Sequence, residues 1–199
     1  MITKKFLDSF NLIFLNLKNQ IKKIYQNSNW YDKKISKVNN DNLSYKPSPH
    51  LLSSIVKYQK KKYKIDDFAL ESAWDDNINS KDFKKLNNFF WFFSLDLKSS
   101  KKKIQSLIIN WINNNHRFNK RSWDFDLTSK RVISWLSNHE LSYDDDSKKY
   151  KKKFDSSIQK QVNHLLNEIK NSKIFEDKMI GCAAIILTGL AYQNNKVYL

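Results

Sequence analysis

The segment RSWDFDLTSKRVISWL, residues 121–136, contains four side chains whose types suit a cyclic ligand that carries a carboxylate: Trp123, Asp126, Arg131 and Trp135. The face of an indole ring packs well against the CH face of a sugar ring. The planar guanidinium of arginine holds a carboxylate through two parallel hydrogen bonds. Asp126 is placed either to orient Arg131 or to cap a helix that starts at Leu127. These residues are the candidate substrate-binding site.

The same spacing has a purely structural interpretation. Arg131 and Trp135 are four residues apart, so they share one face of a helix and are able to stack on each other. Asp126 would then serve only as the N-cap of that helix. The residue types alone do not choose between packing and ligand binding.

The charge of the chain indicates a polyanionic partner. The formal net charge is +16 at pH 7, which attracts nucleic acid, anionic lipid or acidic polysaccharide. The basic residues are 33 lysines and three arginines, beside 23 asparagines, and lysine and asparagine share AT-rich codons. Because recognition of phosphates and bases relies mostly on arginine, we expect no nucleic-acid partner. The sequence leaves open whether the charge serves a function or reflects codon bias.

Several kinds of catalytic site are not supported by the sequence. The four histidines, His50, His116, His139 and His164, lack the short spacing of metal ligands, and the lone Cys182 lies in an apolar run. The chain has only two glycines, Gly181 and Gly189, so it has no glycine-rich phosphate loop. The acidic run at 144–146 lacks the ligand spacing of a calcium loop. We therefore expect neither a metal nor another cofactor.

Apolar residues recur at helical spacing along most of the chain, and two glycines and two prolines are too few for a turn-rich β fold. The sequence therefore predicts an all-α fold built from antiparallel helical hairpins. Residues 27–42 are expected to be irregular, and a short strand is expected near 63–65. Ser100 and either Asp146 or Ser147 are expected to cap helices. The predicted helices cover residues 3–26, 50–60, 80–97, 100–112, 127–138, 147–169 and 175–192.

The first predicted helix is amphipathic, with Phe6, Phe10, Ile13, Leu17, Ile21 and Ile24 at three- or four-residue steps. Its apolar face packs either on the body of the protein, which we expect, or on a membrane surface. Asp8, Asn11 and Asn16 interrupt the apolar core that a signal peptide needs. No apolar stretch reaches the roughly 20 residues that span a bilayer, so no transmembrane segment is expected. We assign residues 1–45 to this helix and a linker, and 46–199 to a helical domain.

Four motifs in the second region occur in a recognisable order. WINNN at 111–115 precedes Trp123, Asp126, Arg131 and the pair WL at 135–136. The other motifs are KYKI followed by Trp74, LNNFFWFFSLDL at 86–97, and KMIGCAAIILTGLA at 178–191. Over about residues 45–192 the chain resembles the N-terminal helical domain of the heparinase II/III family, in the branch common in alphaproteobacteria. It departs from the family where Phe90, Phe93 and Ser94 replace charged residues.

The resemblance implies part of an (α/α) toroid that precedes a β-sandwich domain of the same protein. Members of the family are polysaccharide lyases, which cleave acidic glycans containing uronic acid by β-elimination. A base removes a proton, a polar group neutralises the adjacent carboxylate, and an acid assists the leaving oxygen. The resemblance places those reacting groups beyond Leu199, so no catalytic residue is assigned in this chain. The family works in the periplasm or envelope, although no export signal is visible.

The sequence is therefore compatible with two functions. The first is the N-terminal part of a polysaccharide lyase, and it predicts an open apolar flank around Cys182 and Ile186. The alternative is a non-catalytic basic helical module that binds a polyanion or a membrane surface. It predicts that the lysines at 60–62 and 101–103 merge into one patch.

Overall fold

The computed structural model describes residues 2–37, 43–47, 80–95, 100–144 and 147–193, with side chains described from residue 10 onward. Within these ranges the protein is all-α, as the sequence predicts, with no sheet. The α-helices are α1 (Ile2–Gln26), α2 (Asn29–Ile35), α3 (Ser80–Asn87), α4 (Lys101–Asn114), α5 (Phe125–Ser137), α6 (His139–Ser142), α7 (Lys148–Glu168) and α8 (Phe175–Tyr192); a 3₁₀ helix spans Phe90–Ser94.

Helices α5, α7 and α8 form the centre of the fold. The guanidinium of Arg131 in α5 reaches Gln161 in α7, and the ring of Trp135 lies 5.6 Å from that of Phe154. Residue numbers rise in α5 as they fall in α7, so the two helices are antiparallel. Helix α8 runs back along α7, since Tyr192 at its end donates a hydrogen bond to Asp155. The expected antiparallel packing is confirmed for α5 with α7 and for α7 with α8, whereas α5 and α8 are parallel, since Phe125 at the start of α5 lies against Gly181 near the start of α8.

The core contains a cluster of large aromatic side chains. Phe89, Trp111, Trp135 and Phe154 are all buried, and their rings lie edge to face or tilted at centroid separations between 5.2 and 6.4 Å. Such pairs contribute beyond the area that they bury. The same core contains six fully buried aliphatic side chains: Ile104, Ile108, Val132, Ile158, Val162 and Leu165.

Two predicted helix caps are confirmed. The Ser100 side chain accepts a hydrogen bond from the backbone N–H of Lys103 at the start of α4. Ser147 accepts one from the backbone N–H of Tyr150 at the start of α7, over 3.2 Å. Each hydroxyl satisfies a backbone donor that the first helical turn leaves without a partner.

The irregular structure predicted for residues 27–42 is wrong in part, because α2 lies within it. Ser28 caps this short helix by accepting from the N–H of Tyr31. Tyr31 and Ile35, four residues apart, are buried against the main core. The boundary placed at residue 45 stays a prediction, although side chains on both sides of it share this core.

The single helix predicted over 80–97 is also wrong in part. Helix α3 ends at Asn87, and Phe89 has a left-handed backbone with φ of 57°. The Asn88 side chain accepts from the N–H of Phe90 over 2.9 Å, which starts the 3₁₀ helix. The break lets Phe89, Trp91 and Phe92 all turn into the core, which a continuous helix would not allow.

From residue 10 onward the apolar face of α1 does not pack on the described part of the protein, so the expected packing is wrong for these residues. All side chains from residue 10 to residue 21 are exposed, and among the described side chains of α1 contacts with the body begin at Lys22. There Lys22 Nζ and Gln26 Nε2 reach the Glu168 carboxylate at 2.5 and 2.9 Å. The amphipathic helix itself is confirmed.

Helix α8 presents an apolar stripe to solvent. Its members recur at three- or four-residue steps, and we call them the α8 stripe: Phe175, Met179, Cys182, Ile186 and Leu190. Phe175 is 70% exposed and Ile186 is 49% exposed. The open flank predicted around Cys182 and Ile186 is therefore present. The helix predicted over 50–60, the strand near 63–65 and the lysines at 60–62 lie outside the described residues.

Candidate functional site

Arg131 lies at the centre of the fold and is fully buried. Its Nε donates to Gln161 Oε1 over 2.7 Å, and Nη1 donates to the carbonyl oxygens of Asn87 and Ser122 over 2.9 and 3.0 Å. Nη2 donates to Thr128 Oγ1 over 3.2 Å. The guanidinium also lies 3.9 Å from the centroid of the Trp111 ring, not on Trp135 as the structural interpretation expects.

These hydrogen bonds join Arg131 to neutral oxygens, and none of them involves Asp126. Burial lowers the pKa of Arg131 well below its ordinary value, because a charge removed from water is costly. The arginine thus ties the end of α3 to the loop before α5 and to α7. Its surroundings are those of a residue that organises the core.

The two predicted binding tryptophans are also in the core. Trp135 is buried among Phe89, Trp111 and Phe154. Trp123 is 2% exposed, and its Nε1 donates to the Asn115 carbonyl over 3.1 Å. The faces of both rings are occupied by neighbouring side chains, which favours packing. Direct contact of these residues with a glycan stays a prediction.

Asp126 is separate from the other three residues. Its carboxylate lies 2.7 Å from Lys130 Nζ, one helical turn further along α5. The predicted capping role is wrong, because Asp124 occupies the N-cap position of α5, without a side-chain capping bond. The structure therefore brings Arg131, Trp123 and Trp135 into one core and leaves Asp126 at its edge.

A buried hydrogen-bond chain adjoins this core. The Tyr31 hydroxyl lies 2.6 Å from His164 Nδ1, and His164 Nε2 lies 2.9 Å from the Trp123 carbonyl oxygen. The carbonyl can only accept, so Nε2 carries the proton and Nδ1 accepts from the tyrosine. Burial lowers the pKa of His164 to about 4, and the nearby Arg131 charge acts in the same direction. His164 is thus a neutral structural residue near pH 7.

A second buried group is Asp155 in α7. Tyr192 and Tyr143 donate hydrogen bonds to its two oxygens over 2.7 and 3.2 Å. Burial raises the pKa of Asp155 to about 6, although both tyrosine bonds oppose that change. This carboxyl joins the end of α8 to the loop that precedes α7.

A groove between α4 and α7 is the best candidate for ligand binding. It has a volume of about 500 Å³. Four lysines stand along it, with amide and hydroxyl groups between them and an apolar floor from Ile112 and the edge of Trp123. The lining residues are Ile112, Asn113, Asn115, His116, Trp123, Lys149, Lys152, Lys153, Ser156, Ser157 and Lys160. No acidic residue is among them, and we call it the lysine groove.

The four lysines of the lysine groove share a face of α7, because Lys152 and Lys153 follow Lys149 by three and four residues and Lys160 follows Lys153 by seven, which is two helical turns. Lys160 is held by Asp32 and by the His116 carbonyl, both at 2.6 Å. Lys149, Lys152 and Lys153 are exposed. A neighbouring hollow along α4, lined by Lys102, Gln105, Ser106, Ile109, Asn110, Asn113 and Tyr150, meets the groove at Asn113.

The clustering of positive charge at the start of α7 is unfavourable when no anion is bound there. The first turn of α7 contains no acidic residue, and lysines occupy positions 148, 149 and 151–153. The helix dipole is positive at this end, and like charges one turn apart repel each other. A bound anion would relieve both effects. Sequence reasoning missed these lysines because lysine is frequent throughout the chain. The run KKYKKKF at 148–154 nevertheless places several lysines on one face of a helix, which is the pattern that could have identified the groove.

No group of three or more metal-ligating side chains occurs in the described part of the chain. Among those residues, no helix is both long and apolar enough to cross a membrane.

Fold and site together define a basic, all-α protein with an aromatic core built around a buried arginine and a lysine-lined groove on one side. Comparison with models of protein families, with curated proteins and with solved structures found no match.

Proposed function

We propose that this chain is the N-terminal helical part of a polysaccharide lyase of the heparinase II/III type, and that its lysine groove binds an acidic glycan. The observation that carries the proposal is the groove itself. Exposed ammonium groups on one rim, asparagine amides on the other and an apolar floor match the carboxylates, hydroxyls and CH faces of a uronic-acid polymer.

The α8 stripe gives separate support. A partial toroid leaves apolar helix faces that the remaining helices would cover, and Phe175, Met179, Ile186 and Leu190 form such a face. In this proposal the helical part contributes binding surface, and the reacting groups of the elimination belong to other parts of the protein. Trp123 is the one predicted binding residue that also borders the lysine groove.

Binding is tested with the 199-residue chain and a uronic-acid polymer, polygalacturonate, with neutral dextran for comparison. We expect polygalacturonate to bind and dextran not to bind. Replacing both Lys149 and Lys153 with Gln is expected to weaken binding roughly tenfold, at about 0.5–1 kcal/mol for each exposed charge.

A matched pair of variants removes the same charge elsewhere. Lys81 and Lys84 are exposed on α3, away from the groove, so the double change to Gln should leave affinity nearly unaltered. Equal weakening by the two pairs would show that only net charge matters, and would contradict a groove site.

The lyase assignment needs a different measurement. The product of β-elimination is an unsaturated uronate, which absorbs ultraviolet light. We expect this absorbance to increase with the complete gene product and not with the 199-residue chain. A complete gene product that binds polygalacturonate but does not cleave it would contradict the lyase while leaving the groove intact.

The second candidate is a non-catalytic module that binds polyanions in general, and the clustering of lysines on α7 favours it. Competition separates the two candidates. If RNA displaces polygalacturonate at equal charge concentration, the groove recognises charge alone. If RNA competes poorly, the groove recognises sugar rings as well as charge.

A further inference from the structure

Helix α1 exposes a continuous apolar face that nothing in the described structure covers. Its members are Phe10, Ile13, Phe14, Leu17, Ile21 and Ile24, each between 52% and 72% exposed. Steps of one, three and four residues keep all six within one stripe of the helix. An apolar area of this length is rarely left in water by a folded protein, so it marks an interaction surface.

The attachment of α1 leaves this face accessible. Lys22 and Gln26 bind Glu168, and the ring of Tyr25 packs edge to face on Tyr31 at 5.3 Å. All three contacts are in the last two turns. The preceding turns therefore extend from the body with the apolar face free along their length.

The charge of α1 identifies the surface that it suits. Along α1 the charged residues are five basic and one acidic: Lys4, Lys5, Asp8, Lys18, Lys22 and Lys23. Lys18 lies at one edge of the apolar face, and Lys22, four residues further along that edge, binds Glu168. A helix with one apolar face and basic residues beside it binds at the interface of an anionic bilayer, with its lysines near the headgroup phosphates.

We propose that α1 binds the protein to an anionic membrane surface, lying parallel to the bilayer with Phe10, Ile13, Phe14, Leu17, Ile21 and Ile24 inserted among the acyl chains. The helix lies on the membrane and does not cross it. This function is separate from glycan binding, because α1 does not line the lysine groove.

The chain supplies a matched pair of leucines for the test. Leu17 is in the apolar face and is 52% exposed, whereas Leu12 is on the opposite side of α1 and is 62% exposed. Leu17→Ser and Leu12→Ser therefore remove the same side chain from opposite faces. Neither residue is buried, so both variants should keep the helical circular dichroism and the urea midpoint of the parent protein.

The measurement is co-sedimentation of the 199-residue chain with phosphatidylcholine vesicles, with and without phosphatidylglycerol. We expect binding that needs phosphatidylglycerol and weakens as salt is added. Leu17→Ser should lower the partition coefficient roughly tenfold, as burial of one large aliphatic side chain implies. Leu12→Ser should change it less than twofold.

Three results would overturn the proposal. The first is the absence of binding to vesicles that contain phosphatidylglycerol. The second is equal loss of binding in the two leucine variants, which would mean that the apolar face does not insert. The third is a dimer, seen by analytical ultracentrifugation, that Leu17→Ser dissociates while no vesicle binding occurs, which would assign the face to self-association.

Discussion

Replacing Arg131 with alanine tests whether this residue organises the core or serves a ligand. Alanine removes the donors that now reach Gln161 Oε1 and the carbonyl oxygens of Asn87 and Ser122. A buried acceptor that loses its donor costs about 1–3 kcal/mol. Three acceptors would therefore cost roughly 3–9 kcal/mol in the free energy of unfolding.

An opposing effect reduces that total. The folded protein no longer buries a guanidinium, whose removal from water costs several kcal/mol. Because the acceptors are neutral, removing the arginine leaves no unpaired charge, and we expect Arg131→Ala to fall at the lower end of that total, a loss of about 3 kcal/mol. A loss of this size is a large part of the stability of an ordinary domain.

The assay is urea unfolding followed by far-ultraviolet circular dichroism. Arg117, which is exposed in the loop after α4, supplies the control, and Arg117→Ala should stay within about 0.5 kcal/mol of the parent protein. If Arg131→Ala loses less than about 1 kcal/mol, the hydrogen bonds to Asn87, Ser122 and Gln161 do not carry the stability that we assign to them. If such a stable variant also lost affinity for polygalacturonate, the result would favour a ligand-binding role for Arg131 over a role in the core.

Two further predictions concern buried groups. The pKa of His164 is about 4 in the folded protein against an ordinary 6.5, so the unfolded chain takes up the proton first and stability decreases as the pH falls from 6.5 to 4. The pKa of Asp155 is raised to about 6, and its effect is opposite, because the folded protein holds the proton more tightly and loses stability as the pH rises towards 6. Urea titrations of Asp155→Asn remove the opposing aspartate effect, so this variant should lose about 3 kcal/mol between pH 6.5 and 4 from His164. His139, whose pKa is also lowered by burial, acts in the same direction, and a flat profile in this variant would contradict the prediction. Gly181→Ala should destabilise the protein by about 1 kcal/mol, because an added Cβ would lie 2.4 Å from Cζ of the half-buried Phe125 ring and force it to move, which outweighs the helix propensity that alanine gains over glycine. Thermal unfolding measures this loss, and Cys182→Ala at the neighbouring exposed position should leave the melting temperature unchanged. Equal effects of the two changes would contradict the steric argument.

The sequence predicts those parts of the fold in which apolar periodicity and capping residues agree. Helices α7 and α8 are examples, and Ser147 caps α7 as expected. Helix α2 was missed because it is short and depends on Tyr31 and Ile35 packing against distant residues. The break after α3 was missed because the aromatic run at 89–93 is apolar on every side of a helix. The local sequence also contains no glycine that would indicate the left-handed backbone of Phe89.

The candidate site shows a further limit of sequence reasoning. Arg131 and its tryptophan neighbours were recognisable as unusual, but their burial depends on acceptors at residues 87, 122, 128 and 161, which come together only in the fold. The lysine groove needs α4 and α7 side by side, which no local pattern specifies. Residue types therefore indicated where to look, and tertiary packing decided which residues face solvent.

The two open apolar surfaces, the α8 stripe and the face of α1, have a consequence for how stability is measured. Whatever covers either surface binds the folded chain better than the unfolded one, so by mass action it raises the melting temperature. The midpoint should therefore rise with protein concentration if copies associate, or with lipid if vesicles bind. The size of the shift in melting temperature at each concentration of protein or lipid would then give the affinity of the surface for the component that covers it.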